Sequence, residues 1–244
     1  MTIIDGRNYS KFDLHVHTAE TSKCGIVSAP EQVRHYKTAG YDGVVITDHM
    51  HEDYIMLQNC RDDWQECVTR FLFGYQEAKR VGDEIGLAVA LGVELRFPES
   101  ESDYLLYGVD EAFLRANPYL HRSDHKSFFE RYGDQILIMH AHPYRDNDTV
   151  YYDSVHGLEV VNCNLRQKNR NELALALAKQ HPNLYRTCGS DAHRSGDEAR
   201  AAVFLEGEIH DSFDVRRGIM SGRTRLWCPD QQSLIEECEA ISRD

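Results

Sequence analysis

Short continuous apolar runs alternate with longer amphipathic stretches along most of the 244-residue chain. Lys11–His17 reads as a first strand. Ser28-Ala29-Pro30-Glu31 follows, a capping box with proline in the first turn, and opens a helix carrying Val33, Tyr36 and Ala39 that Gly40 stops. Gly43–Asp48 (GVVITD) is apolar almost throughout, as expected of a strand buried on both faces. Tyr54–Ile85 is long and mainly helical, with a break expected at Gly74. Further strands are expected over Leu87–Leu95, Tyr104–Val109, Gln135–Ala141, Leu158–Cys163, Leu184–Gly189 and Ala201–Leu205. Helices are expected within Asp110–Arg131 in two pieces around Asn117-Pro118, over Asn169–Gln180 and Asp211–Ser221, and in a tail, Gln231–Ser242. Alternating β and α elements with apolar strands imply an α/β fold of parallel strands covered by helices. No linker, low-complexity segment or repeat interrupts the pattern. The expected organisation is one domain over 1–244, with a core over residues 11–205 and a helical tail over 230–244.

Composition narrows the class. At 41% hydrophobic and 27% charged residues, the chain reads as soluble and globular. Residues 1–10 lack the basic and apolar regions of a signal peptide, and no run approaches a membrane span, so the expected location is the cytoplasm. The seven cysteines are irregularly spaced without a C-x-x-C pair, which favours reduced thiols over a disulfide framework or a zinc ribbon. A formal net charge of −13 disfavours sequence-independent binding to duplex nucleic acid.

Candidate chemistry gathers at the strand ends. His15 and His17 stand at i and i+2 in FDLHVHT, so both imidazoles share one face of a strand while Leu14 and Val16 face a core. Two converging neutral imidazoles make half a metal site. The next strand ends in Asp48-His49, where a helix N-cap accounts for the aspartate more readily than for the histidine. Glu94 lies inside an apolar strand, a costly place for a carboxylate that is neither paired nor bound to metal. Either Arg96 at i+2 is its ion-pair partner, or Glu94 bridges metals and Arg96 meets an anionic substrate. Asp103 precedes a strand, which is ordinary turn chemistry. A later strand runs into His140 and His142, with Pro143 fixing the turn and Arg145 just beyond. Gly189-Ser190-Asp191-Ala192-His193 repeats the pattern. The donors are nitrogen and oxygen, which suits Zn, Mn or Fe, and they are too many for one ion. A cluster of two or three divalent ions activates water and clamps the oxygens of a displacement at phosphorus.

Taken together, H-x-H (His15, His17), T-D-H (Thr47-Asp48-His49), a strand glutamate (Glu94), H-P (His142-Pro143) and D-x-H (Asp191, His193) resemble the PHP (polymerase and histidinol phosphatase) family from Asp13 to about His193. The resemblance implies a distorted (β/α)7 barrel of PHP type with a two- or three-metal centre at the strand carboxyl ends. It also implies hydrolysis of a phosphomonoester or small phosphodiester by a metal-bound hydroxide. Carried over by position, the implied ligands are His15, His17, His49, Glu94, Asp103, His142, Asp191 and His193, with Glu94 as the bridge and Glu94, His49 and His193 as catalytic residues. Many relatives place an Asp or His in the loop after the first motif. Glu20 is the nearest carboxylate here and the candidate substitute. Arg96, Arg145, Arg166, Lys168 and His140 are candidate substrate contacts. A small phosphorylated partner and no membrane are expected. The alternatives are hydrolysis of a C–N or carboxylic ester bond, as in amidohydrolases, or a non-catalytic, metal-stabilised scaffold.

Overall fold

The computed structural model describes residues 1–146 and 148–242; the last residues of the expected tail, 243 and 244, lie outside the described residues. The chain opens with a hairpin. β1 (Thr2–Ile4) pairs antiparallel with β2 (Arg7–Val16) across Asp5-Gly6, whose φ angles are 49° and 76°. An Asp-Gly pair with both φ positive is a tight turn suited to hairpins, which is why β2 starts at Arg7 rather than at the expected Lys11. α1 (Ala29–Thr38) begins after Ser28, whose backbone N–H and hydroxyl both donate to the Glu31 carboxylate at 3.2 and 2.6 Å.

Next come β3 (Gly43–Ile46), β4 (His49–Met50), α2 (Glu52–Leu57) and α3 (Trp64–Ile85). The helical break thus lies at residues 58–63, where Asn59 takes a positive φ of 51° and Asp63 caps α3, and α3 runs unbroken through Gly74. Gly74 has another reason to lack a side chain. A Cβ there would stand 2.0 Å from Thr18 Oγ1 and 3.0 Å from Asp48 Oδ2, so the glycine lets α3 press against the loops beneath the candidate site.

β5 (Ala88–Leu91) and β6 (Val93–Arg96) share one stretch of chain, interrupted at Gly92. β7 (Asp103–Tyr107), α4 (Glu111–Ala116), α5 (His125–Tyr132), β8 (Leu137–His140), β9 (Gly157–Asn162), α6 (Asn171–Gln180) and β10 (Tyr185–Gly189) follow. β11 (Ala202–Glu206), α7 (Ser212–Met220), β12 (Arg225–Trp227) and α8 (Gln232–Glu239) complete the order.

The strands form two sheets, one ordered β12-β11-β2-β3-β5 with β1 attached to β2, the other β10-β9-β8-β7-β6-β4. The sheets meet twice. β3 and β5 lead directly into β4 and β6, and a parallel bridge joins Val16 to Ala192, with His17 N–H donating to Ala192 O at 3.0 Å. The result is a distorted α/β barrel. It is not wholly parallel: β7 runs antiparallel to β6 and β8, and β11 to β2. The connection from Arg96 to Asp103 is too short for a helical crossover, which leaves only a hairpin.

The core fills both faces of the strands: Leu14 is buried in the larger apolar cluster and Val16 in a second one with Val33 and Tyr36 of α1, so a register shift in β2 between Asp13 and Val16 separates two residues expected on one face. The cysteines are not all reduced thiols as expected. Cys60–Cys67 and Cys163–Cys228 are disulfide-bonded at Cα separations of 5.2 and 7.3 Å, whereas Cys24, Cys188 and Cys238 are free. Cys60–Cys67 is local, across the turn into α3, whereas Cys163–Cys228 joins the residue after β9 to chain 65 residues away; spacing alone reveals neither. Among the described residues, no helix is long and apolar enough to cross a membrane.

Candidate metal centre

Side chains from β6, from the ends of β2, β8 and β10, and from the starts of β4 and the antiparallel β7 converge on one face of the barrel. Glu94 is at the middle. Its Oε1 lies 2.9 Å from His142 Nε2 and 3.3 Å from His15 Nε2; its Oε2 lies 2.8 Å from His49 Nδ1 and 3.3 Å from His17 Nε2. Asp191 Oδ1 faces the same space, 3.5 Å from His15 Nε2, 3.3 Å from His17 Nε2 and 3.2 Å from His193 Nδ1.

Supporting residues fix this geometry. Glu159, buried in β9, accepts from His15 Nδ1, from the His142 backbone N–H and from Asn162 Nδ2, each at 2.9 Å. Only a glycine fits at 189, where a Cβ would stand 2.4 Å from Glu159 Oε1 and 2.5 Å from His15 Cβ. Asp13 Oδ1 accepts from the His15 and Ser190 backbone N–H groups and its Oδ2 from Tyr36 Oη, tying β2 to β10 and α1. Asp48 caps no helix: it accepts from Thr18 N–H (2.8 Å), Thr18 Oγ1 (2.7 Å) and Ser22 Oγ (2.6 Å), and so clamps the loop after His17. His142 and Asp191 hold positive φ angles of 29° and 51°. Such backbone strain costs about 1–3 kcal/mol per residue and tends to persist where surrounding contacts enforce it, commonly at functional sites.

The electrostatics are those of a crowded buried cluster. Burial pulls His15 down, but Glu159, Asp191 and Glu94 outweigh it and raise the imidazole well above its ordinary value. His17 is driven well below, by burial first and then by His193 and His49. Burial would raise Glu94 and Asp191, yet their histidine neighbours, joined by Arg145 at Asp191, hold both well below the usual carboxylate range. His193 is lowered by burial but raised more by Asp191 and Cys24, to about 10.

The donors fit divalent cations. Among the described residues, His15 Nε2, His17 Nε2, Glu94 Oε2 and Asp191 Oδ1 are buried without a hydrogen-bond partner. An unsatisfied buried polar atom costs about 1–3 kcal/mol, so several aimed at one space are explicable when a cation belongs there. Donor atoms within 4.8 Å of one another fall into the sets His15/His17/Glu94, His15/His142/Asp191, Glu94/Asp103/His142 and His17/His49/His193.

The other sequence candidates are distributed unevenly. Asp103 reaches the cluster, with Oδ2 3.8 Å from His142 Nε2, but Arg96 grips both its oxygens at 2.8 and 2.7 Å; Arg96 thus pairs with Asp103 and not with Glu94. Glu20 stands apart: its Oε2 accepts from the Ala29 backbone N–H at 2.8 Å, at the start of α1. Arg145 donates to Asp191 Oδ2 (2.6 Å), Asn162 and Asn169, and Arg166 pairs with Asp197. Both arginines, with Arg96, Cys24, His49 and His193, line a cavity of about 240 Å³ over the cluster. Lys168 is exposed and lines a neighbouring cleft instead. His140 is buried against the Tyr104 ring, outside the donor sets, and burial lowers it to about 3.

Sequence reasoning passed over Glu159 and Cys24. Glu159 carries the same signal as Glu94, a carboxylate inside an apolar strand. Cys24 carries none. Burial raises its thiol, but hydrogen bonds with His193 and His49 outweigh this and bring it to about 6.

No curated protein matches the chain in sequence. Among solved structures, the chain resembles a two-domain protein from Bacteroides vulgatus ATCC 8482 containing a predicted PHP-like metal-dependent phosphoesterase, at TM-score 0.67 and 18% identity over 98% of this chain and 74% of that one. It also resembles PsfC from Pseudomonas syringae PB-5123 (TM-score 0.63, 16% identity, 95% and 97% covered). A third relative in fold is the lesion-specific endonuclease PfuEndoQ from Pyrococcus furiosus (TM-score 0.58, 15% identity, 90% and 58% covered). Residues 13–198, which contain every side chain of the cluster, match the PHP domain as a sequence family, and the chain belongs to that family.

Proposed function

We propose that the protein is a metal-dependent hydrolase whose substrate is a small phosphomonoester or phosphodiester. The observation that carries this reading is the set of buried donor atoms of His15, His17, Glu94 and Asp191 that face one space and make no hydrogen bond among the described residues. His15, His17, His49, Glu94, Asp103, His142, Asp191 and His193 would hold two or three divalent ions, of the Zn, Mn or Fe type, with Glu94 shared between them. Bound there, such ions supply an activated water and charge stabilisation at phosphorus. The chain's own residues do the rest. Glu159 and Asp13 hold His15 in register, and Arg145 holds Asp191. Arg96, Arg145 and Arg166, each paired with a carboxylate, line the cavity, and guanidinium groups are the usual partners of an anionic substrate. His49 and His193 stand on the same wall, within reach of a leaving-group oxygen that needs a proton. Residues 1–244 would act as one catalytic unit.

The test is a screen of Mn- or Zn-loaded full-length protein against phosphorylated metabolites, short oligonucleotides, amides and carboxylic esters, with His15→Ala as control. Turnover of a phosphoester that His15→Ala abolishes is expected. Bound metal with no phosphoester turned over would contradict the reading, and turnover of an amide or carboxylic ester alone would replace it.

A further inference from the structure

Arg96, Arg145, Arg166 and Arg194 all line the cavity over the cluster, but their guanidinium groups are not equally occupied. Arg96 commits all three nitrogens to carboxylates: Nε and Nη2 donate to Asp103 at 2.8 and 2.7 Å, and Nη1 to Glu101 at 2.7 Å. Arg145, mostly buried, donates to Asn169, Asn162 and Asp191. These two hold the architecture of the centre together. Arg166 and Arg194 differ. Among the described residues, Arg166 is held through Nη1 alone, by Asp197, and the Arg194 guanidinium makes no hydrogen bond or ion pair.

One buried carboxylate sets both residues. Asp197, 6% exposed, accepts at Oδ2 from the His193 N–H (3.1 Å) and the Arg194 N–H (2.8 Å), while its Oδ1 takes Arg166 Nη1. It therefore joins the turn after β10, where Arg194 follows His193, to the loop after β9 that carries Arg166. That loop is also tied to the cluster: Asn164 Nδ2 donates to the Asp191 carbonyl, and Asn164 Oδ1 accepts from the Arg166 N–H, each at 3.1 Å. Both arginines are thus fixed at the backbone and keep donors to spare at the tip. A guanidinium stays charged at any working pH, and its planar fork matches the oxygens of a phosphoryl group.

We propose that Arg194 and Arg166, set in place by Asp197, form a two-guanidinium clamp on the phosphoryl oxygens of the substrate. The inference rests on the phosphoester reading above and narrows its arginine wall to this pair. Asp197 lies outside the metal-donor sets and acts only through its neighbours, as a positioning residue.

Isothermal titration of the zinc-loaded, full-length protein with inorganic phosphate tests the clamp, with zinc per chain measured in every variant. Arg194→Ala and Arg166→Ala should each weaken phosphate binding about tenfold or more at unchanged zinc content, the usual cost of losing a charge-assisted hydrogen bond. Arg194→Lys should recover part of the loss. Asp197→Asn keeps an oxygen for the two backbone N–H groups but gives up the charge facing Arg166. It should weaken phosphate binding about tenfold in the unaltered background and less than about twofold in Arg166→Ala, because it acts through that side chain. On a phosphoester that the protein turns over, Asp197→Asn should raise KM and leave kcat within about twofold. Phosphate affinity unchanged by Arg194→Ala, or a fall in zinc content that accounts for its loss, would overturn the clamp alone. Tighter phosphate binding by Asp197→Asn, or an equal loss in both backgrounds, would overturn the positioning role of Asp197. Zinc-loaded protein that binds no phosphate would overturn the clamp and count against the phosphoester reading with it.

Discussion

Glu94, inside the cluster, and Cys24, on the wall of the cavity over it, belong to two differently built regions. Glu94 is carried by β6, paired in register with His49 on β4 and with Leu105 on β7, and every neighbour of its carboxylate comes from a strand end. Cys24 hangs from a loop whose position depends on side chains far away in sequence, above all Asp48 and the His193 carbonyl. Strand register sets a donor's position through many backbone hydrogen bonds at once. A loop side chain is set by a few contacts, each of which can be removed singly. The strand side should therefore tolerate loss of a supporting residue with its fold intact but its metal affinity reduced, whereas the loop side should lose geometry when its clamp is disturbed.

The largest effect should follow removal of the carboxylate that orients His15. Glu159→Ala is expected to weaken metal binding about 10–100-fold, the usual result of losing the partner of a ligating histidine, and isothermal titration with Zn²⁺ measures it. Unchanged affinity would show that strand register alone positions His15. Gly74→Ala strikes the loop clamp from beneath, since its Cβ would enter the space of Thr18 Oγ1. A stability loss of about 1–3 kcal/mol in denaturant unfolding is expected from the overpacking, along with weaker binding of the ion nearest His49. The smallest effect belongs to Glu20→Ala. Losing a carboxylate at the N-terminus of α1 should cost about 0.3–1 kcal/mol and leave the number of bound ions unchanged. A fall in metal content with this variant would make Glu20 a ligand and remove the contrast between the two regions.

The same contrast explains what could be read from the sequence. His15, His17, Glu94, His142 and Asp191 end or interrupt apolar strands, so period and polarity mark them directly. Glu159 is marked in the same way, inside GLEVVN, and was legible in principle. In the loop, Glu20 has the expected chemical type, but which side chain turns toward the cluster depends on the hydrogen bonds of Ser22 and Ile26, and no local pattern encodes those. The α/β alternation was equally plain. The reversal of β7 was not, because it follows from the short Phe97–Ser102 connection and not from the apolar character of the strand. Arg96 shows a further limit: at i+2 it shares a face with Glu94, yet its guanidinium reaches across to Asp103 on the neighbouring strand.

The central claim is that one shared carboxylate, Glu94, organises a multinuclear centre. Elemental analysis of the full-length protein after Zn²⁺ loading and removal of free metal, run beside Glu94→Ala, tests it most directly. Two or three ions per chain in the unaltered protein, falling to one or none in the variant, is the result the proposed function predicts. One ion or none per chain in the unaltered protein, or an undiminished count in Glu94→Ala, would contradict it.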